Sequence, residues 1–175
     1  MTDNTYLLGI DFGTESVRAA IFDLAGRPVS FAATAYRTTH PHPGWAEQDP
    51  EEWWEALQAS CRKVIAASGV SSPAAIKGIS YDATTMTVVA MDKRGEALRP
   101  AIMWMDVRAT EQAARAEKSD SVARLYNGRG TAPATAEWYP FKAAWLRENE
   151  RETYDAAFRL VDAPDWVTYK LTGEW

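Results

Sequence analysis

The chain is short of the residues that build many catalytic centres. Among its 175 residues there is one cysteine, Cys61, and there are two histidines, His40 and His42. A single cysteine closes no internal disulfide and makes no thiolate zinc site, which fits a reducing compartment; a cytoplasmic location is expected. Both histidines flank prolines (Pro41, Pro43) in what reads as an exposed loop, and two alone make a poor metal site. With only these, no Ser/His/Asp or Cys/His nucleophile set can be assembled. No apolar run is long enough to span a bilayer, and MTDNTYLLGID lacks the basic n-region and cleavage site of a signal peptide. Positive charge is not in surplus: 19 Lys and Arg against 24 Asp and Glu leave a net charge of −5. Neither nucleic acid nor a membrane is therefore an expected partner. Neither Gly-x-x-x-x-Gly-Lys-Ser/Thr nor Gly-x-Gly-x-x-Gly occurs, so any nucleotide must be held in another way.

What is present is an ordinary globular composition, 46% hydrophobic and 25% charged, in a chain long enough for a real core. Eight tryptophans is a high number. Indoles can stack on sugar faces, but core packing is the default reading for most of them.

The most informative stretch is LGIDFGTESVRAAIFD, Leu8 to Asp23. An apolar strand, Tyr6 to Ile10, ends in the carboxylate of Asp11. A tight turn, Gly13 to Ser16, leads to a second apolar strand, Val17 to Phe22. Gly13 has no Cβ, so the backbone can approach an oxygen closely. Turn N–H groups can face phosphate oxygens, Thr14 and Ser16 add hydroxyl donors, and Asp11 can hold Mg²⁺ directly or through water. The same residues also read as a plain hairpin, because turns favour Asp and Gly.

The order of elements narrows the fold. Strands are predicted at Tyr6–Asp11, Val17–Asp23 and Val29–Tyr36, the last two joined by a Gly-Pro turn. A helix is predicted from Asp49, with Pro50 in its first position, Glu52 at the capping-box position and Trp54, Leu57, Cys61, Val64 and Ile65 as its apolar face; Gly69 ends it. Ile76–Tyr81 should return parallel to the first strand after this crossover. Met86–Met91 reads as a fifth strand and Ala101–Met105 as a short apolar run. Helices follow at Arg108–Glu117, Val122–Tyr126, Phe141–Asn149 and Asp165–Leu171. Strand-strand-strand-helix-strand is the opening of the α/β ribonuclease-H-like fold, with residues 1–105 forming the sheet and crossover helix. Residues 106–175 form a mainly helical segment on the substrate side. Trp175 directly after a helix suggests a chain cut from something longer, and a truncated sheet would expose an unpaired edge and an unburied helix face, with aggregation or a molten state as the expected consequence.

Three polar loops follow strand ends: Asp11 to Ser16, Asp82-Ala83-Thr84-Thr85, and Trp104 to Arg108. Ligands gather at the carboxyl ends of strands in open α/β sheets. Each carboxylate also has an ordinary reading as a cap or turn residue, and Asp106, just before a helix, is equally a natural N-cap. Gly44 to Pro50 reads as a staple and cap into the helix. Glu137 and Trp138 open another helix in a loop that could face a sugar, with core packing of Trp138 as the default.

In that order, these segments resemble the FGGY carbohydrate kinases of the sugar kinase/actin/Hsp70 superfamily. The resemblance runs through GIDFGTESVRAAIFD, GWAEQDPEEWW, GISYDATTMTVVAMDKRGEALRPAIMWMDVRA, TAEWYPFKAAWL and DWVTYKLTGEW. It implies ATP and Mg²⁺ as cofactors, with Asp11 at the metal and Gly13, Thr14, Ser16 and Arg18 at the phosphates. It places Asp82, Ala83, Thr84, Thr85, Asp106 and Glu137 on the substrate side. Asp82-Ala83-Thr84 is similar to the loop of ribulokinase-like members, and lacks the Met-His-Gly of xylulokinases and the Arg-Glu of glycerol kinases. A pentulose or pentitol of the ribulose, ribitol or xylulose type is thus the implied small-molecule partner, and a homodimer is an oligomer the chain could form. The family's catalytic Asp and C-terminal ATP domain are not in this chain; the base is expected beyond Trp175, leaving the chain inactive alone. The competing expectation is a non-catalytic sugar- or nucleotide-binding module on the same scaffold.

Overall fold

The computed structural model describes residues 5–119 and 133–175. Their contacts gather them into two compact units, Met1–Arg37 with Pro50–Thr84, and Thr38–Asp49 with Thr85–Trp175. The division expected at residue 105 falls inside the second unit, and the expected helix Val122–Tyr126 lies outside the described residues.

The first unit is a four-stranded sheet with a helix on one face. Strands β1 (Tyr6–Phe12), β2 (Ser16–Asp23) and β3 (Pro28–Ala35) form the antiparallel meander. Helix α1 (Pro50–Ser68) is the crossover, and β5 (Ile76–Ala83) returns parallel to β1, giving the order β3-β2-β1-β5. The two-residue period of the strands sends Leu8, Ile10 and Phe12 of β1 and Val17, Ala19 and Ile21 of β2 to one buried face. Helix α1 covers that face, with only Leu57 and Val64 of the predicted residues buried. Its buried positions are Trp53, Ala56, Leu57, Ser60 and Val64, so Trp53 faces inward where Trp54 was expected. The small Ala56 and Ser60 let the helix lie close to the sheet: Ser60 Oγ is 2.9 Å from Thr34 Oγ1 and 3.3 Å from the Val17 carbonyl. A pattern scored on large apolar residues misses that face. Glu52 accepts from the Arg37 backbone N–H (3.1 Å) and guanidinium (2.9 Å). On the opposite face of the sheet Leu7 and Phe31 are exposed, and Ile79 is exposed on β5 at the sheet edge.

The second unit has little regular sheet. Strand β4 (Glu47–Gln48) pairs with β7 (Ala101–Ile102), and β6 (Val89–Met91) pairs with β8 (Arg159–Val161). The expected fifth strand is thus shorter than predicted and belongs to a separate ladder. Among the described residues it also has helices α2 (Thr110–Glu117), α3 (Tyr139–Asn149), α4 (Arg151–Ala156) and α5 (Ala163–Thr172). Val88, Ile102 and Leu146 form an apolar cluster, with Tyr139, Trp145, Tyr154 and Leu160 against it. Helix α5 starts with a capping box between Asp162 and Asp165 and ends at Gly173 in the left-handed conformation. Gly95, at φ +84, lies under the Tyr169 ring, where a Cβ would come within 2.1 Å of Cε1. Its carbonyl accepts from the buried Trp166 indole at 3.0 Å.

Candidate functional site

In the first unit the phosphate-side candidates sit at one end of the sheet. Asp11 on β1 is the register partner of Asp82 on β5 and of Arg18 on β2. Three charged residues therefore lie abreast on the face opposite α1. Arg18 Nη2 is 3.0 Å from Asp11 Oδ2, with both side chains close to half exposed. Asp82 is exposed, and Ala83 and Thr84 are half-buried. The Thr84 N–H donates to the Phe12 carbonyl at 3.2 Å, extending the β1–β5 pairing past the carboxylates.

The turn is more tightly built than its sequence indicates. The Gly13 N–H closes the hairpin on the Ser16 carbonyl at 3.0 Å, so it is used within the turn. The Gly13 carbonyl accepts from the Tyr36 hydroxyl, and the Tyr36 N–H donates to Glu15 O at 3.2 Å. Burial pushes the Tyr36 phenol upward, which keeps it a donor at all ordinary pH. Tyr36 was not singled out from sequence; a lone Tyr closing an apolar strand carries no motif. A Cβ on Gly13 would lie 2.2 Å from Arg18 Nη2, so glycine leaves the space that Arg18 crosses to reach Asp11.

Oxygen ligands suited to a hard cation are therefore present as a pair, Asp11 and Asp82. Among the described residues no group of three or more His, Cys, Asp or Glu side chains could form an all-protein cage. Mg²⁺ keeps most of its waters and takes one or two carboxylates with substrate phosphates, and this donor set fits that habit.

In the second unit, Thr85 and Glu137 are exposed, whereas Asp106 is fully buried. The N-cap reading of Asp106 is corrected, since α2 starts at Thr110 with Ala109 as its N-cap. Asp106 instead accepts from the Ala46 N–H (2.6 Å), from the Arg108 N–H and Nε (both 2.9 Å) and from Arg108 Nη2 (2.8 Å). Arg108 also reaches Glu47 at 2.8 Å and lies 3.8 Å over the Trp45 ring and 5.0 Å from that of Trp145. Arg99 links the same Glu47 to Glu150, at 3.0 Å from the latter. A carboxylate buried at no exposure must be paired and hydrogen-bonded, and this one is. It holds the Trp104–Arg108 loop onto the Gly44–Gln48 segment. Trp104 itself is 39% exposed.

Lys142, on α3, is another buried charge of this unit. Its ammonium has no exposure and donates to three main-chain carbonyls, those of Met86, Met103 (2.9 Å) and Trp104 (3.4 Å). Burial pushes it down to about 8; Asp106, Asp162 and Glu137 pull it up and Arg108 pushes it down. Met86 has φ +65, the one non-glycine residue with positive φ among those described. That conformation costs an L-residue roughly 1–2 kcal/mol. Asp162 holds it, accepting from the Met86 N–H at 2.8 Å and the Thr87 N–H at 2.9 Å.

The family model described as the FGGY family of carbohydrate kinases, N-terminal domain, matches residues 6–175. A xylulose kinase of Staphylococcus xylosus is 29% identical over 168 residues, which are 96% of this chain and 34% of that protein. A glycerol kinase of Variovorax paradoxus is 32% identical over 176 residues, 97% of this chain and 35% of that one. The solved xylulose kinase of Rhodospirillum rubrum superposes with a TM-score of 0.87 at 30% identity, over 97% of this chain and 34% of that one. The fold is therefore the α/β, ribonuclease-H-like one of these sugar kinases. The chain spans about a third of the length of the relatives it matches.

Proposed function

Because this chain belongs to the FGGY family of carbohydrate kinases, we propose that the protein it contributes to transfers the γ-phosphoryl group of ATP to a hydroxyl of a sugar or polyol. The acceptor class is a pentulose or pentitol. The observation that carries the reading is the register of Asp11 beside Asp82 at the carboxyl ends of two parallel strands, with Arg18 of the antiparallel neighbour on its other side, next to a glycine turn.

Phosphoryl transfer asks a protein mainly for positioning and charge neutralisation. Asp11, held in place by Arg18, would take Mg²⁺ through water. The cation, when bound, offsets the negative charge of the phosphates. Gly13, Thr14, Ser16 and Arg18 would face those phosphates, the turn braced from behind by Tyr36. Asp82, Ala83, Thr84, Thr85 and Glu137 would face the sugar, and Asp106 would act as anchor of the Trp104–Arg108 loop. The acceptor hydroxyl would lose its proton to an Asp outside this chain and attack the γ-phosphorus in line, with ADP as the leaving group.

The test is ADP release by the protein expressed from its complete reading frame, across pentuloses, pentitols and glycerol. Turnover with one acceptor, reduced about 100-fold or more by Asp11→Ala, is expected. A folded protein that binds sugar or nucleotide but turns over none of them would favour a non-catalytic binding module. Full activity in Asp11→Ala would remove Asp11 from the metal site.

A further inference from the structure

Lys142 is an unusual buried lysine because no carboxylate is among its three hydrogen-bond partners. All three are main-chain carbonyls, and an ammonium has three N–H donors to match them. A lysine that only neutralised Asp106 or Asp162 would point at an oxygen of one of them. This one gathers backbone from two segments distant in sequence, Met86 before β6 and Met103-Trp104 after β7.

The segments it joins are not arbitrary. Met86 directly follows Thr85, and Trp104 lies two residues before Asp106, so both belong to loops proposed for the substrate side. Lys142 itself comes from the segment that carries Glu137. Met86 is gripped at both of its peptide groups: its N–H goes to Asp162 at the start of α5, and its carbonyl accepts from Lys142 on α3. A non-glycine residue persists at positive φ only where its surroundings over-determine it. Here an acidic and a basic side chain from two helices supply that constraint, and the Met86 side chain, 43% exposed, contributes little burial.

We infer that Lys142 and Asp162 are positioning residues that hold Met86 in its left-handed conformation and so set the shape of the loops carrying Thr85 and Trp104, and with it the affinity for the acceptor sugar. The inference rests on the sugar-kinase reading above. The position of the ammonium also makes it sensitive to pH. Burial lowers Lys142 to about 8, against the pull of Asp106, Asp162 and Glu137 and with the push of Arg108. Tyr139, on the same helix, is raised by burial and by Asp162 and Asp165, so it stays protonated through that range. A neutral amine offers two N–H groups to three carbonyls and turns a lone pair toward the third. Acceptor KM should therefore rise as pH passes about 8.

The experiment uses the protein from its complete reading frame, with KM measured separately for ATP and for the best acceptor. Lys142→Met should raise the acceptor KM about tenfold or more and leave that for ATP within about twofold. Met86→Val, which leaves the core untouched but disfavours positive φ, should move the same parameter in the same direction. Adding Met86→Gly to Lys142→Met should bring the acceptor KM back toward the starting value, because glycine adopts the conformation without a clamp. An unchanged acceptor KM in Met86→Val, an equal rise in both KM values, or no recovery in the double variant would overturn the inference. Amide hydrogen exchange separates it from the kinase reading. If the unaltered protein phosphorylates no acceptor, that reading fails. Exchange of Met86 and Thr87 accelerated about tenfold in Met86→Val, relative to α5, would then still support the positioning role. Unchanged exchange would end it.

Discussion

The two units keep their charges in opposite places. In the first, the interior is apolar and regular, and the pair Asp11–Arg18 is on the solvent-facing side of the sheet. In the second, strands of two or three residues enclose Glu47, Asp106, Arg108 and Lys142, all buried. A long sheet satisfies its own backbone, so its unit can be closed by side chains alone. Short strands leave carbonyls and N–H groups that ladders do not reach, and buried ions take over that work. In one unit the charges pair at the solvent-facing surface; in the other they hold the main chain.

The sharpest way to break this contrast is to remove a charge from each unit. Arg108→Ala leaves Asp106 buried without its cationic partner and should destabilise the protein by about 3–5 kcal/mol in urea unfolding. A loss under about 1 kcal/mol would show that the buried ions are incidental to stability.

Next comes a pH effect confined to the second unit. The native state releases the Lys142 proton near 8, whereas the unfolded chain holds it to its ordinary 10.5. The unfolded state then binds more protons between those values, so this group makes stability rise with pH across that window. Lys142→Met should remove that rise, as read from urea midpoints on either side of pH 8; an identical slope in the variant would place the ammonium in solvent.

The smallest effect belongs to the first unit. Arg18→Ala breaks a half-exposed pair and should change unfolding free energy by at most about 1 kcal/mol. A larger loss would mean that the solvent-facing charges carry stability as well, and the contrast between the units would weaken.

The same contrast decides how far the sequence could be read. The meander, crossover helix and parallel return were legible because Leu8, Ile10, Phe12 and Val17, Ala19, Ile21 alternate, and because Pro50 and Gly69 bracket the helix. Asp11 and Asp82 were placed at the ends of two strands, but their register beside each other was not read from sequence. The facing of α1 was read correctly at Leu57 and Val64 and missed at Ala56 and Ser60, small residues that fill its contact row. In the second unit β4, β8 and α4 were not anticipated, since two- and three-residue strands carry no period. Lys142 and Glu47 look like surface residues in sequence, and only tertiary contacts bury them. Asp106 was singled out, but the partners that make it an anchor lie 60 residues away at Ala46 and 2 away at Arg108.

The distribution of indoles gives each unit its own optical label. Trp45, Trp104, Trp138, Trp145, Trp166 and Trp175 belong to the second unit, and only Trp53 and Trp54 to the first. Emission will therefore report chiefly on the unit held by buried ions. Cys61, the single thiol, lies on α1 in the first unit, and burial raises it so that little thiolate forms while the helix is docked. Followed together through a denaturant series, fluorescence and thiol labelling would time the two halves of this molecule separately without any introduced probe.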